Sequence, residues 1–159
     1  ISIGSLAKEV WAGLGVGWLR ADPATIDHLA RLRAALDLGG SVPAQLVALN
    51  CLDGLDDRTA RLRAELSERS DALGALVSTH LPGWTWTRPS GGLSLWCRLP
   101  DGGDGDDLAR RAPGAGVAVL PGSSASVDDR FDDHVRLSFA APVDQLRAGV
   151  ERLAAVVER

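Results

Sequence analysis

The spacing of apolar residues predicts four main helices in this chain. The first begins at Asp22-Pro23, a capping residue followed by proline in the first helical turn. Others are predicted at about Val42 to Leu52, at about Asp57 to His80, and over the last 17 or so residues. The first, third and last helices carry apolar residues at helical spacing: Ile26, Leu29, Leu32 and Leu36; Leu62, Leu66, Leu73, Leu76 and Val77; Val143, Leu146, Val150, Leu153 and Val157.

Alternation of apolar and polar residues predicts the strands. In one strand Leu93, Leu95, Cys97 and Leu99 alternate with Ser94, Trp96 and Arg98, and in another Val135, Leu137 and Phe139 alternate with His134, Arg136 and Ser138. Further strands are predicted at Ile1 to Gly4, Val16 to Arg20, Trp84 to Thr87 and Val117 to Leu120, with a short helix before the last. Helices packed on one face of such a small, mostly antiparallel sheet make an α+β two-layer sandwich.

Composition and charge exclude several classes of protein. The 159 residues carry a net charge of −4, with arginines interspersed among acidic residues, which argues against this chain gripping a nucleic-acid backbone. Cys51 and Cys97 have no metal-binding or redox spacing, so we expect free thiols in a reducing compartment. No apolar run approaches membrane-spanning length, and no signal-peptide layout is present. These features predict a cytoplasmic protein without membrane contact.

Lys8 is the single lysine among 17 basic residues. A desolvated lysine amine can lose its proton and attack a carbonyl to form an imine, which a guanidinium cannot do. A bias toward arginine could also leave one surface lysine by chance. The run Ser5-Leu6-Ala7-Lys8 fits the Ser-x-x-Lys motif of penicillin-recognising enzymes as well, but that class needs a later Lys-Thr-Gly and this chain has no second lysine.

Three other sequence patterns are weaker indications of a functional site. The glycines from Gly13 to Gly17 resemble a dinucleotide-binding turn, but no helix follows at the required position. The acidic run of residues 101–107 lacks the spacing and final glutamate of an EF-hand, so we predict a turn and a helix cap. The three histidines, His28, His80 and His134, lie on separate elements without metal-ligand spacing, and we predict structural or surface roles.

The lysine segment resembles the cofactor-lysine segment of fold-type I pyridoxal-phosphate enzymes. The matching residues of that pattern are Ser5, Lys8, Gly13, Gly17 and Trp18. Three later runs are similar to family motifs in the same order: Arg88 to Trp96, Gly116 to Gly122, and His134 to Ala140. The resemblance implies that Lys8 forms an imine with pyridoxal phosphate, that Ser5 contacts the cofactor, and that Arg136 binds a substrate carboxylate. Two departures remove family phosphate ligands: Ala7 replaces a serine, and Gly15 replaces an arginine.

The sequence from Lys8 to Leu14 is most similar to that of the aminotransferase-like domain of MocR-type regulators in the GntR family. In those proteins a winged helix-turn-helix precedes a domain that senses the cofactor or an amino compound. The resemblance therefore implies an effector-sensing domain of a transcriptional regulator, with DNA contacts outside this chain. Two alternatives stay open: a fragment of a class I/II aminotransferase, so that enzymatic activity is undecided, and a degenerate dimerisation domain without cofactor, which Ala7 and Gly15 favour.

The resemblance also implies how the chain is divided. Residues 1–45 would be the last part of the pyridoxal-phosphate-binding large domain, and residues 46–159 the small domain, of a longer homodimeric polypeptide. We expect that polypeptide to hold pyridoxal 5'-phosphate and to bind an amino acid or amine. We expect the 159-residue chain alone to be inactive and to lose the cofactor, because the family's other cofactor contacts lie upstream.

Overall fold

The computed structural model describes residues 1–37, 39–100, 102–128 and 130–158. These residues form two compact units, Ile1–Arg63 and Ala64–Arg159, and the division falls inside the longest helix. Both units combine helices with antiparallel strands, so the α+β class predicted from the sequence is confirmed. The predicted boundary after residue 45 concerns the large and small domains of the family, and it stays a prediction.

The first unit contains a β-hairpin followed by helices. Strands β1 (Ser2–Ser5) and β2 (Gly17–Arg20) pair antiparallel, and a short 3₁₀ turn at Ala12–Leu14 lies between them. Three helices follow, the last of which continues into the second unit: α1 (Pro23–Leu36), α2 (Val42–Leu52) and α3 (Leu55–His80). The Asp22 carboxylate caps α1, because Oδ1 accepts a hydrogen bond from the Thr25 amide at 3.0 Å.

The second unit is a four-stranded antiparallel sheet covered by helices on one face. Its strands lie in the order β3-β4-β6-β5, with bounds Thr85–Trp86 (β3), Ser94–Arg98 (β4), Leu120–Pro121 (β5) and His134–Ser138 (β6). The helices are the later turns of α3, α4 (Gly105–Arg111) and α5 (Val143–Val157). Short 3₁₀ turns occur at Ala112–Ala115 and Gly122–Ala125.

The core of the second unit lies between the sheet and these helices. On the sheet side it contains the fully buried residues Leu95, Cys97 and Val135, and on the helix side it contains Leu73, Val77, Leu108, Leu146, Val150 and Leu153. Burial raises the pKa of the Cys97 thiol to about 12, because the thiolate would be desolvated there. The predicted alternation is therefore correct for both central strands, whose polar residues occupy the opposite, open face.

One local prediction is wrong. The strand predicted at Val117 to Leu120 is observed at Leu120–Pro121, which pairs with β6, whereas Val117 and Val119 pack against the core without a strand partner among the described residues. The predicted last helix is present as α5, with Val156 buried and Val157 exposed at its end. The strand was misplaced because apolar spacing reports burial, whereas strand pairing depends on partners that are distant in the sequence.

The first unit keeps much of its apolar surface exposed. Its buried core consists of Leu6, Leu14 and Ala48, and α1 buries none of its residues completely. Exposed apolar side chains continue along the hairpin, α1 and α2: Ile1, Ile3, Trp11, Trp18, Leu19, Leu32, Leu36, Val42, Leu46, Val47, Leu49 and Leu52. The helical stripe predicted for α1 thus exists, but its residues do not form a core within this chain.

Candidate functional site

Lys8 lies in a closed turn between the two strands of the hairpin. The Leu6 amide donates to the Val16 carbonyl at 3.0 Å, and the Val10 amide donates to the Leu6 carbonyl at 2.9 Å. Leu6 and Leu14 anchor the turn in the small core against α2. Lys8 itself is exposed and forms no hydrogen bond or ion pair with any described residue. The turn therefore fixes the backbone while leaving the amine accessible.

Ser5 is the last residue of β1 and precedes Lys8 by three residues in the same turn segment. Its hydroxyl oxygen accepts a hydrogen bond from the Ala7 amide at 3.2 Å, which leaves the hydroxyl proton free to bind an acceptor. Ser5 and Lys8 are thus brought together in one turn. Arg136, the third predicted site residue, belongs to the second unit, where it lies on β6.

Glycines shape the lysine turn at two positions. At Gly4 an added Cβ would overlap the indole of Trp18, its partner across the hairpin, so the indole packs directly on the backbone. Gly15 has φ +62°, in the left-handed region that favours glycine, and no atom lies within 4 Å of where its Cβ would be. A Cβ at residue 15 would therefore meet conformational strain but no steric obstacle.

Arg136 lies at the centre of the open face of the four-stranded sheet. Its direct partners across the sheet are Trp96 on β4 and Leu120 on β5. Directly opposed residues of antiparallel strands share one face, so the arginine stands between an indole and an exposed leucine. Arg136 is exposed and has no ion pair or hydrogen bond with any residue in the described ranges. An unpaired guanidinium with apolar neighbours suits a bidentate carboxylate ligand.

Beside Arg136 on the same face is a cluster of three rings that the sequence analysis missed. The rings of Trp96 and His134 are stacked, with centroids 5.3 Å apart and planes at 25°. Phe131 meets both edge-on, at 5.5 Å from Trp96 and 5.3 Å from His134. Strand alternation places Trp96 and His134 on the open face, but the sequence carries no signal that Phe131 joins them.

A carboxylate that is itself paired with an arginine holds the histidine in this cluster. Asp133 Oδ1 lies 2.5 Å from His134 Nδ1, and Asp133 Oδ2 accepts from Arg98 Nε at 2.6 Å. The Arg98 guanidinium, and then the His134 ring, hold the pKa of Asp133 below its usual range. A carboxylate accepts only, so the proton of this hydrogen bond resides on Nδ1. The ring plane of His134 is consequently fixed against Trp96.

Two further findings limit the chemistry of the described residues. Among them, no group of three or more His, Cys, Asp or Glu side chains is arranged to hold a metal ion. No helix in those ranges is long and apolar enough to cross a lipid bilayer.

Cys51 and Cys97 are both free thiols, as predicted. The acidic run ends in the predicted cap, because Asp104 accepts from the Asp107 amide at 2.9 Å, while Asp101 lies outside the described residues.

Comparison with known proteins identifies the class to which this fold and these motifs belong. The family profile of aminotransferase class I and II matches residues 1–153, so the chain belongs to that family. The structure superposes on that of LysN, an α-aminoadipate aminotransferase from Thermus thermophilus, with a TM-score of 0.90 and 29% identity, over 98% of this chain and 41% of that one.

Two curated sequences illustrate the range of relatives. The chain is 29% identical to aromatic-amino-acid aminotransferase 1 of Thermococcus litoralis, over 99% of this chain and 39% of that protein. It is 26% identical to the uncharacterized HTH-type transcriptional regulator YdfD of Bacillus subtilis, over 98% of this chain and 33% of that protein. The chain thus spans between a third and two fifths of the length of these relatives.

The donor groups of the lysine turn fit part of pyridoxal phosphate. An accessible amine such as that of Lys8 could bond to the cofactor aldehyde, and the Ser5 hydroxyl could donate to a phosphate oxygen. Ala7 and Gly15 contribute no polar side chain. Residues of this segment would therefore hold the cofactor covalently through Lys8, with Ser5 as the phosphate contact.

Proposed function

We propose that this chain is part of the aminotransferase-like sensor domain of a GntR/MocR-type transcriptional regulator. The observation that carries the proposal is the lysine turn, which keeps an exposed Lys8 and a neighbouring Ser5 but has Gly15 where the family has an arginine. An accessible amine is what exchange of a covalently held group with an incoming amine requires, and the residues Lys8 to Leu14 resemble the MocR-type segment. The similarity to YdfD across nearly the whole chain supports the same function.

Each residue has a definite role in this proposal. Lys8 would hold pyridoxal phosphate through its amine, and the cofactor would supply an electrophilic carbon that an incoming amine can also bond. The Lys8 amine, once released, would be available to take up a proton. Arg136 binds and orients the carboxylate of the amino compound. Displacement of Lys8 by the effector is the signal, and DNA contacts reside in a domain outside this chain.

A class I/II aminotransferase is the second candidate, and the two named aminotransferases among the relatives favour it. In that case Lys8 would move the α-proton of the substrate as general base and acid, and a 2-oxo acid would leave. Both candidates use the same residues. They differ in whether substrate turnover occurs and whether a DNA-binding domain is present.

A degenerate dimerisation domain is the third candidate, supported by Ala7, Gly15 and the exposed apolar surface of α2. A homodimer would cover such surface in all three cases.

The regulator proposal includes the domain boundary after residue 45, with the hairpin as part of the large domain. A cytoplasmic location follows from a DNA-binding role.

The deciding experiment compares Lys8→Ala with Lys8→Arg in the longest native polypeptide that contains this chain. Lys8→Arg keeps the positive charge but cannot bond to an aldehyde, so the two variants separate charge from covalent chemistry. For a sensor, both variants lose the visible absorbance of bound pyridoxal phosphate and the response to amino compounds, while DNA binding without effector is retained. Multiple-turnover transamination without DNA affinity would instead establish the enzyme.

The 159-residue chain gives an independent measurement. We expect it to lose pyridoxal phosphate during desalting, because Lys8 and Ser5 are the contacts that this segment supplies. A visible absorbance band that survives gel filtration would contradict the expectation. Absence of any covalent adduct on Lys8, even after borohydride reduction with excess cofactor, would favour the dimerisation domain.

A further inference from the structure

The open face of the sheet carries a ring cluster to which the proposed roles of Lys8, Ser5 and Arg136 assign no function. Trp96, Phe131 and His134 form a three-ring cluster next to an arginine without an acidic partner in the described chain. Trp96 is half-buried and Phe131 is 44% exposed, so ring surface remains available above the sheet. The cluster and Arg136 are immediate neighbours, because Trp96 is the cross-strand partner of Arg136.

Phe131 adopts a backbone conformation that a phenylalanine rarely adopts. Its φ of +70° is the single positive value found outside glycine among the described residues. Asparagine or glycine would occupy such a position with less strain, so the aromatic ring is held there against the backbone preference. Strain of this kind persists where the surroundings over-determine it, and such residues cluster at ligand-binding sites.

The surroundings of Phe131 do fix the backbone. Its carbonyl accepts from the His134 amide at 3.0 Å, and the next two carbonyls accept from Gly105 at 2.6 Å and from Leu99 at 2.8 Å. A Cβ on Gly122 would overlap the Phe131 carbonyl, so that side of the loop is also closely packed. The ring cluster is therefore formed before any ligand arrives, which lowers the entropic cost of binding.

We propose that Trp96, Phe131 and His134 form a subsite for the planar aromatic group of a carboxylate ligand whose carboxylate binds Arg136. The chemical class is an aryl-substituted carboxylic acid, such as an aromatic amino acid or its 2-oxo acid. The subsite rests on the proposed function in one respect, namely that Arg136 takes a carboxylate. Offset or edge-to-face contacts between rings favour an aromatic group over an aliphatic one by about twofold to twelvefold.

Nuclear magnetic resonance titration of the 159-residue chain tests the subsite. The probes are 3-phenylpropionate, 4-methylpentanoate and 3-phenylpropan-1-ol, which separate the aromatic ring from the carboxylate. We expect amide shifts confined to residues 94–98 and 131–138, with 3-phenylpropionate binding about twofold to twelvefold tighter than 4-methylpentanoate. The alcohol should bind more weakly than 3-phenylpropionate, because it cannot pair with Arg136.

Matched variants assign the preference to the rings. Phe131→Asn removes one ring but suits the left-handed backbone, so the loop should keep its shape; it should reduce the aromatic preference at least twofold. Trp96→Leu should do the same, whereas Trp11→Leu, an exposed tryptophan of the first unit, should have no effect. Arg136→Gln should weaken both carboxylates, and Arg147→Gln, with the same charge change on α5, should weaken neither.

Three results would overturn the subsite. They are the absence of saturable shifts at residues 94–98 and 131–138, equal affinity for the two carboxylates, or a preference that survives both Phe131→Asn and Trp96→Leu. Equal affinity with an intact Arg136 effect refutes the subsite alone and leaves carboxylate binding in place. The covalent chemistry of Lys8 is measured separately by cofactor absorbance, so failure of that function does not alter this result.

Discussion

The buried thiol of Cys97 should make the stability of this protein fall in a defined alkaline range. Its pKa in the folded protein is about 12, compared with an ordinary value of 9.0. The unfolded chain therefore releases the thiol proton above about pH 9, while the folded chain retains it up to about pH 12. A group with a raised folded pKa contributes stability that is fully present below its unfolded pKa and is lost as pH rises toward the folded value.

The expected magnitude follows from the size of this difference. One proton bound by the folded state alone gives a slope of about −1.4 kcal/mol per pH unit between about pH 9 and pH 12. The full loss is about 4 kcal/mol, which is a large part of the stability of a small domain. The chain has no tyrosine and a single lysine, so few other side chains titrate in this range.

Urea denaturation at fixed pH values, compared with Cys97→Ala, measures this contribution. Cys97→Ala leaves Cys51, Lys8 and the amino terminus unchanged, so subtracting its curve isolates the buried thiol. The variant should be less stable than the parent at neutral pH because of the lost packing, and the difference should shrink as pH rises above about 9. If the two stability curves stay parallel from about pH 8 to about pH 11, Cys97 is not held protonated by burial.

Three further changes test the packing of the second unit and the capping of α1. Leu153→Ala should lower the free energy of unfolding by about 2–5 kcal/mol, because Leu153 is 1% exposed in the core; calorimetry and urea denaturation should both detect the loss. Gly74→Ala should destabilise by about 1 kcal/mol net, because overlap with the Trp86 indole outweighs the gain in helix propensity. In a Trp86→Leu background the same change should stabilise by up to about 1 kcal/mol, and an unchanged sign would show that the indole does not restrict this position. Asp22→Ala should destabilise the first turn of α1 through loss of the cap and so speed amide hydrogen exchange at Thr25, and unaltered exchange there would contradict the cap.

Much of the fold could be predicted from the sequence where local patterns carry the information. The alternation around Leu95 and around Val135 correctly identified the buried faces of β4 and β6, because side chains alternate between the two faces of any strand. The Asp22-Pro23 start of α1 and the bounds of α2 were also correct, since caps and proline act within one turn. The α+β class follows from these elements.

The candidate site was only partly accessible to such reasoning. Ser5 and Lys8 are three residues apart, so a tight turn was enough to bring them together. The position of Arg136 between Trp96 and Leu120 depends on strand order and register, which pair residues far apart in the sequence. No local sequence pattern identifies Trp96 and Leu120 as the cross-strand partners of Arg136.

The sequence by itself determined the alternation that separates core from open face, the helix starts, and the motifs that mark the aminotransferase family. These features depend on short-range sterics and on residue identity. Tertiary structure alone decided that Phe131, at φ +70°, would join Trp96 and His134, and that Asp133 would bridge Arg98 and the histidine. The physical reason is that a left-handed phenylalanine is locally unfavourable, so only hydrogen bonds and packing from distant segments can hold it in place.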